Sequence, residues 1–279
     1  MKRTSLPAPG PDARFASVGA MRLHYQRAGT GRAVLLLHGS GSSHHGFQRV
    51  AQALASDVDV VVPDLPGFGF TGPRPDGDYR VSTYVDTVAR FMTALGLERF
   101  SVVGNSLGGN IAWNLALAVP ERVDALVLIN ATGYPEKSLP AGIRLARNPV
   151  VRPVLRRWLP RRATERNLRS LVGRQSVVDD AMVDRVHAMM SLPGNRSAFV
   201  DLANTDQVDR SALIPQIAVP TLVLRSASVD GQLFGRHLPG AVEVTHPTAG
   251  HLLPEEEPAW VAAEVRAFLE ANAERGGRR

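Results

Sequence analysis

Short apolar runs alternate with amphipathic segments along most of this chain. The runs are rich in β-branched residues and apolar at consecutive positions, which is typical of parallel strands covered on both faces. Between them, apolar residues recur at helical spacing, as over Thr83–Leu95. This alternation predicts a doubly wound, mostly parallel sheet of the α/β class. The predicted strands are Phe15–Val18 and Met21–Gln26, which form a hairpin, and then Val34–Leu37, Val58–Val62, Phe100–Val103, Ala125–Ile129, Pro220–Leu224 and Val242–Val244.

The alternation stops between Tyr134 and Leu213. This segment contains helical patterns only, and prolines divide it into short pieces. We therefore divide the chain into a core at 14–133 and 214–271 and a helical insertion at 134–213. The Pro-rich leader at 1–13 is expected to be flexible and the tail at 272–279 disordered.

Length and composition narrow the class of protein. The 279 residues suffice for one α/β domain with an insertion. Because there is no cysteine, disulfides, a thiolate nucleophile and a thiolate metal site are excluded. No apolar run is long enough to span a membrane, and the N-terminal residues lack the apolar region of a signal peptide. A cytoplasmic location is the default expectation.

Positive charge is concentrated in the insertion. The formal net charge is +6, and ten arginines lie between Arg144 and Arg174, with Glu165 the only acid among them. Such a block can attract nucleic acid, an anionic lipid surface or an acidic substrate. We favour the simpler interpretation of a solvated helical surface. A small molecule is then the expected partner and nucleic acid is not; the oligomeric state stays open.

The stretch Leu97–Pro120 carries the clearest chemical signal. An apolar strand pattern leads into Gly104-Asn105-Ser106-Leu107-Gly108, and helical spacing follows. A serine on a tight strand-to-helix turn, in a G-x-S-x-G pattern, is typical of a nucleophile elbow. Glycines are needed there because side chains would crowd the adjoining strand and helix. Ser106 would also lie at a helix N-terminus, where developing negative charge is favoured.

A second glycine pattern, Gly67-x-Gly69-x-x-Gly72, matches the dinucleotide-binding fingerprint. That fingerprint works only where a helix opens at the glycines, so that its N-terminus faces the pyrophosphate. Here Pro73 and Pro75 follow at once, and the next helical pattern starts about ten residues later. The sequence therefore argues against a nicotinamide cofactor.

Four patterns in one order resemble the α/β-hydrolase family over about Arg14 to Glu270. They are His38-Gly39-Ser40-Gly41, the Asp-Leu-Pro-Gly-Phe-Gly after Pro63, the elbow, and Gly250-His251. The resemblance implies an α/β-hydrolase fold in which the helical insertion forms a cap that excludes water and shapes the pocket. It also implies a serine hydrolase that uses no cofactor and no metal.

The resemblance assigns roles to single residues. The backbone N–H groups of Ser40 and Leu107 would form the oxyanion hole. His251 would be the base that accepts the Ser106 proton. Gly39 and Gly41 would line the substrate site. His38 is expected to brace its loop, and Asp64 to be structural.

The acid of the triad is where this sequence departs from the family. The loop after the strand ending at Leu224 is short, and Asp230 is its only acid. The alternative acid position, after the strand ending near Ile129, holds Asn130, which could orient an imidazole without stabilising its cation. Asp230 is therefore the expected acid, and a missing acid is the alternative. Losing the acid's charge costs serine proteases about 10⁴ in kcat.

The substrate remains open between two hydrolytic reactions. The motifs look most like those of meta-cleavage product hydrolases, which split carbon–carbon bonds in dienoates. Asn105 and Arg185 match residues that would bind substrate there. Arg49 stands where that family has an asparagine. Leu252, which would also line the site, stands where that family has a tryptophan. The leading hypothesis is a small carboxylic ester as substrate. The alternatives are carbon–carbon hydrolysis, or a weakly active or non-catalytic binding protein on this scaffold.

Overall fold

Eight strands form one sheet in a computed structural model of the chain, which describes residues 7–10, 13–135, 141–231 and 233–276. The sheet order is β1-β2-β4-β3-β5-β6-β7-β8. β2 runs antiparallel to β1 and β4, and every other neighbouring pair is parallel. The predicted doubly wound sheet is thereby confirmed. The strands are β1 (Arg14–Val18), β2 (Met21–Ala28), β3 (Ala33–Leu37), β4 (Asp59–Pro63), β5 (Phe100–Asn105), β6 (Val123–Ile129), β7 (Thr221–Ser226) and β8 (Val242–His246).

Helices cover both faces of the sheet. α2 and α3 pack on one face, in a core that contains Phe91 and Ile111, and α1 and α11 pack on the other, in a core that contains Val50 and Val261. This explains why the parallel strands are apolar at consecutive positions. The helices are α1 (Gln48–Leu54), α2 (Val81–Ala94), α3 (Leu107–Ala118), α4 (Ala141–Arg147), α5 (Arg152–Arg157), α6 (Arg161–Leu171), α7 (Asp180–Met190), α8 (Asn195–Asn204), α9 (Phe234–His237), α10 (Leu253–Glu256) and α11 (Pro258–Gly276).

The strand order reverses between β3 and β5. Chain connections leave these two neighbours in opposite directions along the sheet, so a crevice opens beyond their carboxyl ends, where open α/β sheets bind ligands. Leu37 of β3 pairs with Gly104 of β5. The loop that contains Ser40 and the turn that contains Ser106 therefore emerge side by side.

The insertion between β6 and β7 is helical, as the sequence predicts. It contains α4 to α8, with two small cores of its own, one around Leu168 and Met182 and the other around Ala146 and Val200. Residues 136–140, near the start of the predicted insertion, lie outside the described residues. Leu252 of the core packs against the first of these two clusters, so the insertion contacts the loop that contains His251.

The two ends of the chain relate differently to their predictions. Most of the predicted leader, residues 1–6 and 11–12, lies outside the described residues. The tail was expected to be disordered from residue 272, but α11 continues to Gly276, and the Asn272 side chain donates to the Phe268 carbonyl at 2.8 Å. Residues 277–279 lie outside the described part. Among the described helices, none has the length and apolar character needed to cross a bilayer.

Candidate active site

Ser106 occupies a strained turn between β5 and α3. Its φ of 54° and ψ of −115° fall in a region that non-glycine residues rarely adopt. The turn requires very close backbone packing: a Cβ at Gly104 would collide with the Gly108 carbonyl, and a Cβ at Gly108 with the Leu37 carbonyl. The sequence folds this way because glycine alone fits both positions. The predicted elbow geometry is therefore present.

Hydrogen bonds on both sides of the turn hold this strained backbone. The Ser106 N–H donates to the Ile129 carbonyl at 3.1 Å, which extends the β5–β6 pairing by one residue. The Ser106 carbonyl accepts from Asn110 N–H at 3.0 Å and from Thr132 N–H at 3.2 Å. A strained residue persists only where its surroundings over-determine it. These bonds supply that constraint.

A cavity of about 430 Å³ lies above the elbow, between the sheet and the insertion. Ser106 and His251 both line it, although 145 residues separate them in the chain. Apolar side chains of the insertion form most of the opposite wall, among them Ile143, Leu155 and Leu168. The other predicted site residues that line the cavity are Gly39, Ser40, Gly41, Asn105 and Leu252.

Two backbone N–H groups, those of Ser40 and Leu107, have no hydrogen-bond acceptor among the described residues. Leu107 is the first residue of α3, so its N–H has no acceptor within the helix. Ser40 lies in the loop after β3 and lines the cavity. Within the described ranges, neither N–H donates a hydrogen bond to another backbone group. Both N–H groups are therefore free to donate, although Leu107 itself does not line the cavity, and their role as an oxyanion hole stays a prediction.

Backbone bonds fix the loop that carries His251. Its N–H donates to the Leu171 carbonyl of the insertion at 2.6 Å. Its carbonyl lies 3.3 Å from the Asn105 amide nitrogen and 3.3 Å from that of Asn130. The histidine is thus held from the insertion and from the ends of β5 and β6. Its side chain is left to face the cavity that Ser106 lines.

Burial lowers the pKa of His251 from its ordinary value of 6.5 to about 4. No carboxylate opposes this effect, since burial is the only cause of the shift. Asp230, the acid expected from the sequence, is exposed. It makes no hydrogen bond or ion pair with any residue in the described part of the chain. The structure therefore does not bring Asp230 together with His251.

A neutral network occupies the positions where an acid was sought. Asn130, at φ 42°, is buried at the end of β6. Its side-chain oxygen Oδ1 accepts a hydrogen bond from Ser226 N–H at 2.9 Å. Its amide nitrogen lies 3.0 Å from Ser226 Oγ and 3.1 Å from the Gly250 carbonyl. Ser226 Oγ also donates to the Gly250 carbonyl, at 2.7 Å. Asn130 therefore positions the backbone of the loop that contains Gly250 and His251.

Glu256 is a positioning residue that the sequence analysis missed. Its buried carboxylate accepts from Gly250 N–H at 2.8 Å through one oxygen and from Gly173 N–H at 2.8 Å through the other. Glu256 thereby joins the loop that contains His251 to Gly173, which lies just after α6. The sequence shows only three consecutive glutamates before a helix, and nothing in that pattern distinguishes the buried one.

Arg185 lies apart from the cavity in which it was expected to bind substrate. Its guanidinium donates to Glu255 at 2.7 Å, and it lines a second, separate pocket beside His45. Glu255 itself lines the cavity above Ser106. Burial raises the pKa of Glu255, although Arg185 and then Arg49 act against that shift. The predicted substrate ligand is therefore engaged in an ion pair within the protein.

Two other cations line the cavity, and the sequence analysis did not single them out. Arg166 and Arg196 both come from the insertion. Neither forms an ion pair within the described ranges, and the Nε atom of Arg196 is buried without a hydrogen-bond partner. An unpaired buried donor in a cavity is costly unless a ligand satisfies it. Arg196 is thus suited to contact an anionic group of a substrate.

His38 and Asp64 brace the loops beneath the site, as the sequence predicts. His38 is buried, with Nδ1 at 2.8 Å from the Gly39 carbonyl and Nε2 accepting from Leu65 N–H at 3.0 Å. Burial lowers the pKa of His38 to about 4, so it is neutral at pH 7. Two further histidines, His24 and His44, donate to the Asp64 carboxylate.

The same three residues, His24, His44 and Asp64, form the one cluster with metal-ligand types found in the part of the chain that the structure describes. Both Asp64 oxygens already accept two hydrogen bonds each, including those from His44 N–H and Phe70 N–H. The residues therefore fit an internal anchor for three loops better than a metal centre.

The sheet order, the strained serine elbow and the inserted helices together define an α/β protein of the hydrolase type. Residues 32–258 match the model of the α/β hydrolase fold family. The chain belongs to that family. The fold expected from the four sequence motifs is thereby confirmed.

Relatives and solved structures share this architecture. An uncharacterised hydrolase, YugF of Bacillus subtilis, is 26% identical over 95% of this chain and 100% of its own. The 2-hydroxy-6-oxo-6-(2'-aminophenyl)hexa-2,4-dienoic acid hydrolase of Metapseudomonas resinovorans is 27% identical over 76% of this chain and 72% of its own. A thermophilic esterase from Thermogutta terrifontis is 26% identical with a TM-score of 0.79, over 93% and 98% of the two chains.

Proposed function

We propose that this protein is a serine hydrolase that cleaves a small carboxylic ester through an acyl-enzyme on Ser106. One observation carries the proposal: a serine in a strained strand–helix turn and a half-buried histidine with a lowered pKa line the same cavity. The esterase from Thermogutta terrifontis shows that a chain with this fold and 26% identity can act on esters.

The reaction follows from the placement of these groups. The Ser106 hydroxyl attacks the ester carbonyl carbon while the His251 ring accepts its proton. The carbonyl oxygen becomes an oxyanion, which accepts hydrogen bonds from the Ser40 and Leu107 N–H groups. The imidazolium then gives its proton to the alcohol as the C–O bond breaks. Water then attacks the acyl carbonyl carbon while the His251 ring accepts a proton from it. The bond between the acyl group and Ser106 Oγ breaks, Oγ takes the proton back, and the acid is released.

A carboxylate is not part of this proposal. Asn105 and Asn130 hold the backbone of His251, and no acid affects the pKa of its ring. The base is therefore oriented by its loop, and its cation is stabilised less than in a complete triad. We expect a slow enzyme, whose turnover is below that of relatives with a buried acid.

Replacing Asp230 with asparagine tests this difference from the sequence-based prediction. Because Asp230 is exposed, we expect kcat for p-nitrophenyl butyrate to stay within about twofold of wild type. A triad acid would instead lose about 10⁴-fold on this substitution. Labelling by a fluorophosphonate probe, measured beside turnover, reports the reactivity of Ser106 directly. A large loss in both would restore Asp230 to the triad.

The pH profile should reflect the low pKa of His251. The base works in its neutral form, so protonation abolishes catalysis as pH falls through the folded-state pKa. With that pKa at about 4, kcat/KM should stay level from neutral pH down to about 5 and halve near 4. Initial rates on a neutral ester, with the fold checked by circular dichroism at each pH, measure this. An acid limb centred above pH 6 would contradict it.

Carbon–carbon hydrolysis of a dienoate is the second candidate. It is favoured by the relative from Metapseudomonas resinovorans and by the unpartnered Arg196 in the cavity. If the substrate carries a carboxylate, Arg196→Met should raise KM at least about tenfold for a carboxylate-bearing ester and leave KM for a neutral ester of equal length unchanged. Arg196→Lys should recover part of the loss. Equal effects on both esters would exclude anion recognition by Arg196.

A further inference from the structure

One side of α5 and its flanking turns is apolar and faces solvent. Val150, Val154 and Trp158 are apolar and exposed: Val154 lies in α5, Val150 in the turn before it, and Trp158 directly after it in extended backbone. Val150 is 81% exposed and Trp158 62% exposed. The opposite side of α5 packs inward through Leu155, against the cluster around Ala146. The outer side therefore has no partner in the described structure. We call Val150, Val154 and Trp158 the outer face.

The helices α4, α5 and α6 of the insertion are rich in arginine. Arg156 is paired with Asp201 and Arg161 with Asp180 and Asp184, so those cations are neutralised. Other arginines of the same helices have no acidic partner within the described ranges. Exposed apolar side chains bordered by unpaired cations are the pattern of helices that lie in a lipid headgroup layer. Outside the cavity, these arginines are Arg144, Arg147, Arg152, Arg157 and Arg162.

The outer face adjoins the opening of the catalytic cavity. Leu155 and Leu159 lie next to Val154 and Trp158 in the chain, and both line the cavity above Ser106. Leu145 of α4 lines the cavity and is also exposed, and α4 contacts α5. The segment that carries the exposed side chains therefore also contributes apolar side chains to the wall of the cavity.

We propose that the outer face docks on an anionic lipid surface, from which acyl esters of lipids enter the cavity. The unpaired arginines match negative headgroups, which attract cations close to the lipid surface. Tryptophan is the side chain most suited to the boundary between headgroups and acyl chains. A second copy of this chain would bring two sets of unpaired arginines together, which charge repulsion disfavours.

The docking does not depend on the reaction proposed above, whereas the entry of lipid esters rests on it. Docking is therefore measured with Ser106→Ala protein, which cannot consume the lipid. The probe is flotation with vesicles of phosphatidylcholine that contain about one-third phosphatidylglycerol, beside vesicles of phosphatidylcholine alone. Ser106→Ala protein with no other substitution should bind the anionic vesicles. Raising the salt concentration from 0.05 M to 0.5 M should release the protein from them.

Two matched valines supply the variant and its control. Val154 and Val242 are both 52% exposed, but Val242 begins the edge strand β8, away from the insertion. Val154→Asp should weaken partition onto anionic vesicles at least about tenfold, and Val242→Asp should leave it unchanged. When Ser106 is left unchanged, both variants should hydrolyse soluble p-nitrophenyl acetate at the wild-type rate. Only Val154→Asp should lose turnover of a long-chain ester carried in vesicles.

The outcomes separate the two proposals. Failure of the protein to bind anionic vesicles, or equal binding by Val154→Asp and Val242→Asp, overturns the docking surface. A dimer that forms in solution and is lost in Val154→Asp also overturns it, because the face would then belong to a second copy. Vesicle binding without turnover of any ester would leave docking in place and contradict the hydrolase.

Discussion

Replacing Ser106 with alanine is expected to lower kcat for a p-nitrophenyl ester by about 10⁴- to 10⁶-fold, as for nucleophile removal in other serine hydrolases. The physical reason is that no other hydroxyl is held in the strained turn beneath the Ser40 and Leu107 N–H groups. The activity that remains would come from these N–H groups and from substrate binding. Steady-state rates and fluorophosphonate labelling measure the effect.

Ser101 offers a matched control for this substitution. It lies on β5, the strand that leads into the turn of Ser106, and both serines are 8% exposed. Ser101→Ala removes an equally buried hydroxyl that is outside the cavity, so activity and labelling should stay close to wild type. If Ser106→Ala kept more than about one-hundredth of the wild-type rate, acyl transfer to this serine would be excluded.

Replacing Asp64 with asparagine should cause the largest loss of stability of any single substitution considered for this protein. Its carboxylate is fully buried and accepts His24 Nδ1–H and Phe70 N–H at 2.8 Å through one oxygen. The other oxygen accepts two donors from His44. An amide NH₂ would place donor against donor on one side. We expect the free energy of unfolding to fall by about 3–5 kcal/mol.

Urea unfolding at pH 7 measures this loss, with Asp86→Asn as the control. Asp86 and its partner Arg90 are both exposed on α2, so this replacement should cost less than about 1 kcal/mol. If the two variants unfolded at the same urea concentration, the buried network would not contribute as proposed.

The pH dependence gives the Asp64 prediction a sign. Burial alone would raise the pKa of Asp64, but hydrogen bonds from His24 and His44 outweigh it and hold the pKa far below its ordinary value. A carboxylate with a depressed folded-state pKa contributes its full stability above the unfolded-state pKa, about 3.9, and loses it as pH falls below that value. The difference in stability between wild type and Asp64→Asn should therefore shrink in strong acid.

The elbow could be predicted from the sequence because all of its determinants are local. Gly104, Ser106 and Gly108 lie within five residues, and the strand and helix that flank them have different periodicities. The mostly parallel, doubly wound sheet could be predicted from the same alternation. His251 could be assigned only by resemblance, because nothing in its neighbourhood specifies which distant loop it meets.

The acid and the supporting carboxylates could not be predicted, because burial and pairing across the fold decide them. Asp230 was the only acid in its loop, yet the loop leaves it exposed. Glu256 was one of three adjacent glutamates, and only tertiary packing buries it against the Gly250 and Gly173 N–H groups. His44 is likewise buried against Asp64, which lies twenty positions further along the chain, so only the fold brings the two together.

The bonds that Glu256 and the Leu171 carbonyl make across the two parts of the chain have a consequence for protein engineering. The inserted helices hold the backbone of His251 in place. In a chimaera that receives a relative's insertion, His251 would therefore be displaced. Transplanted specificity would then require residues 171–174 to be kept from the host or exchanged together with 250–256. Directed evolution of the insertion should, for the same reason, alter turnover as readily as substrate range.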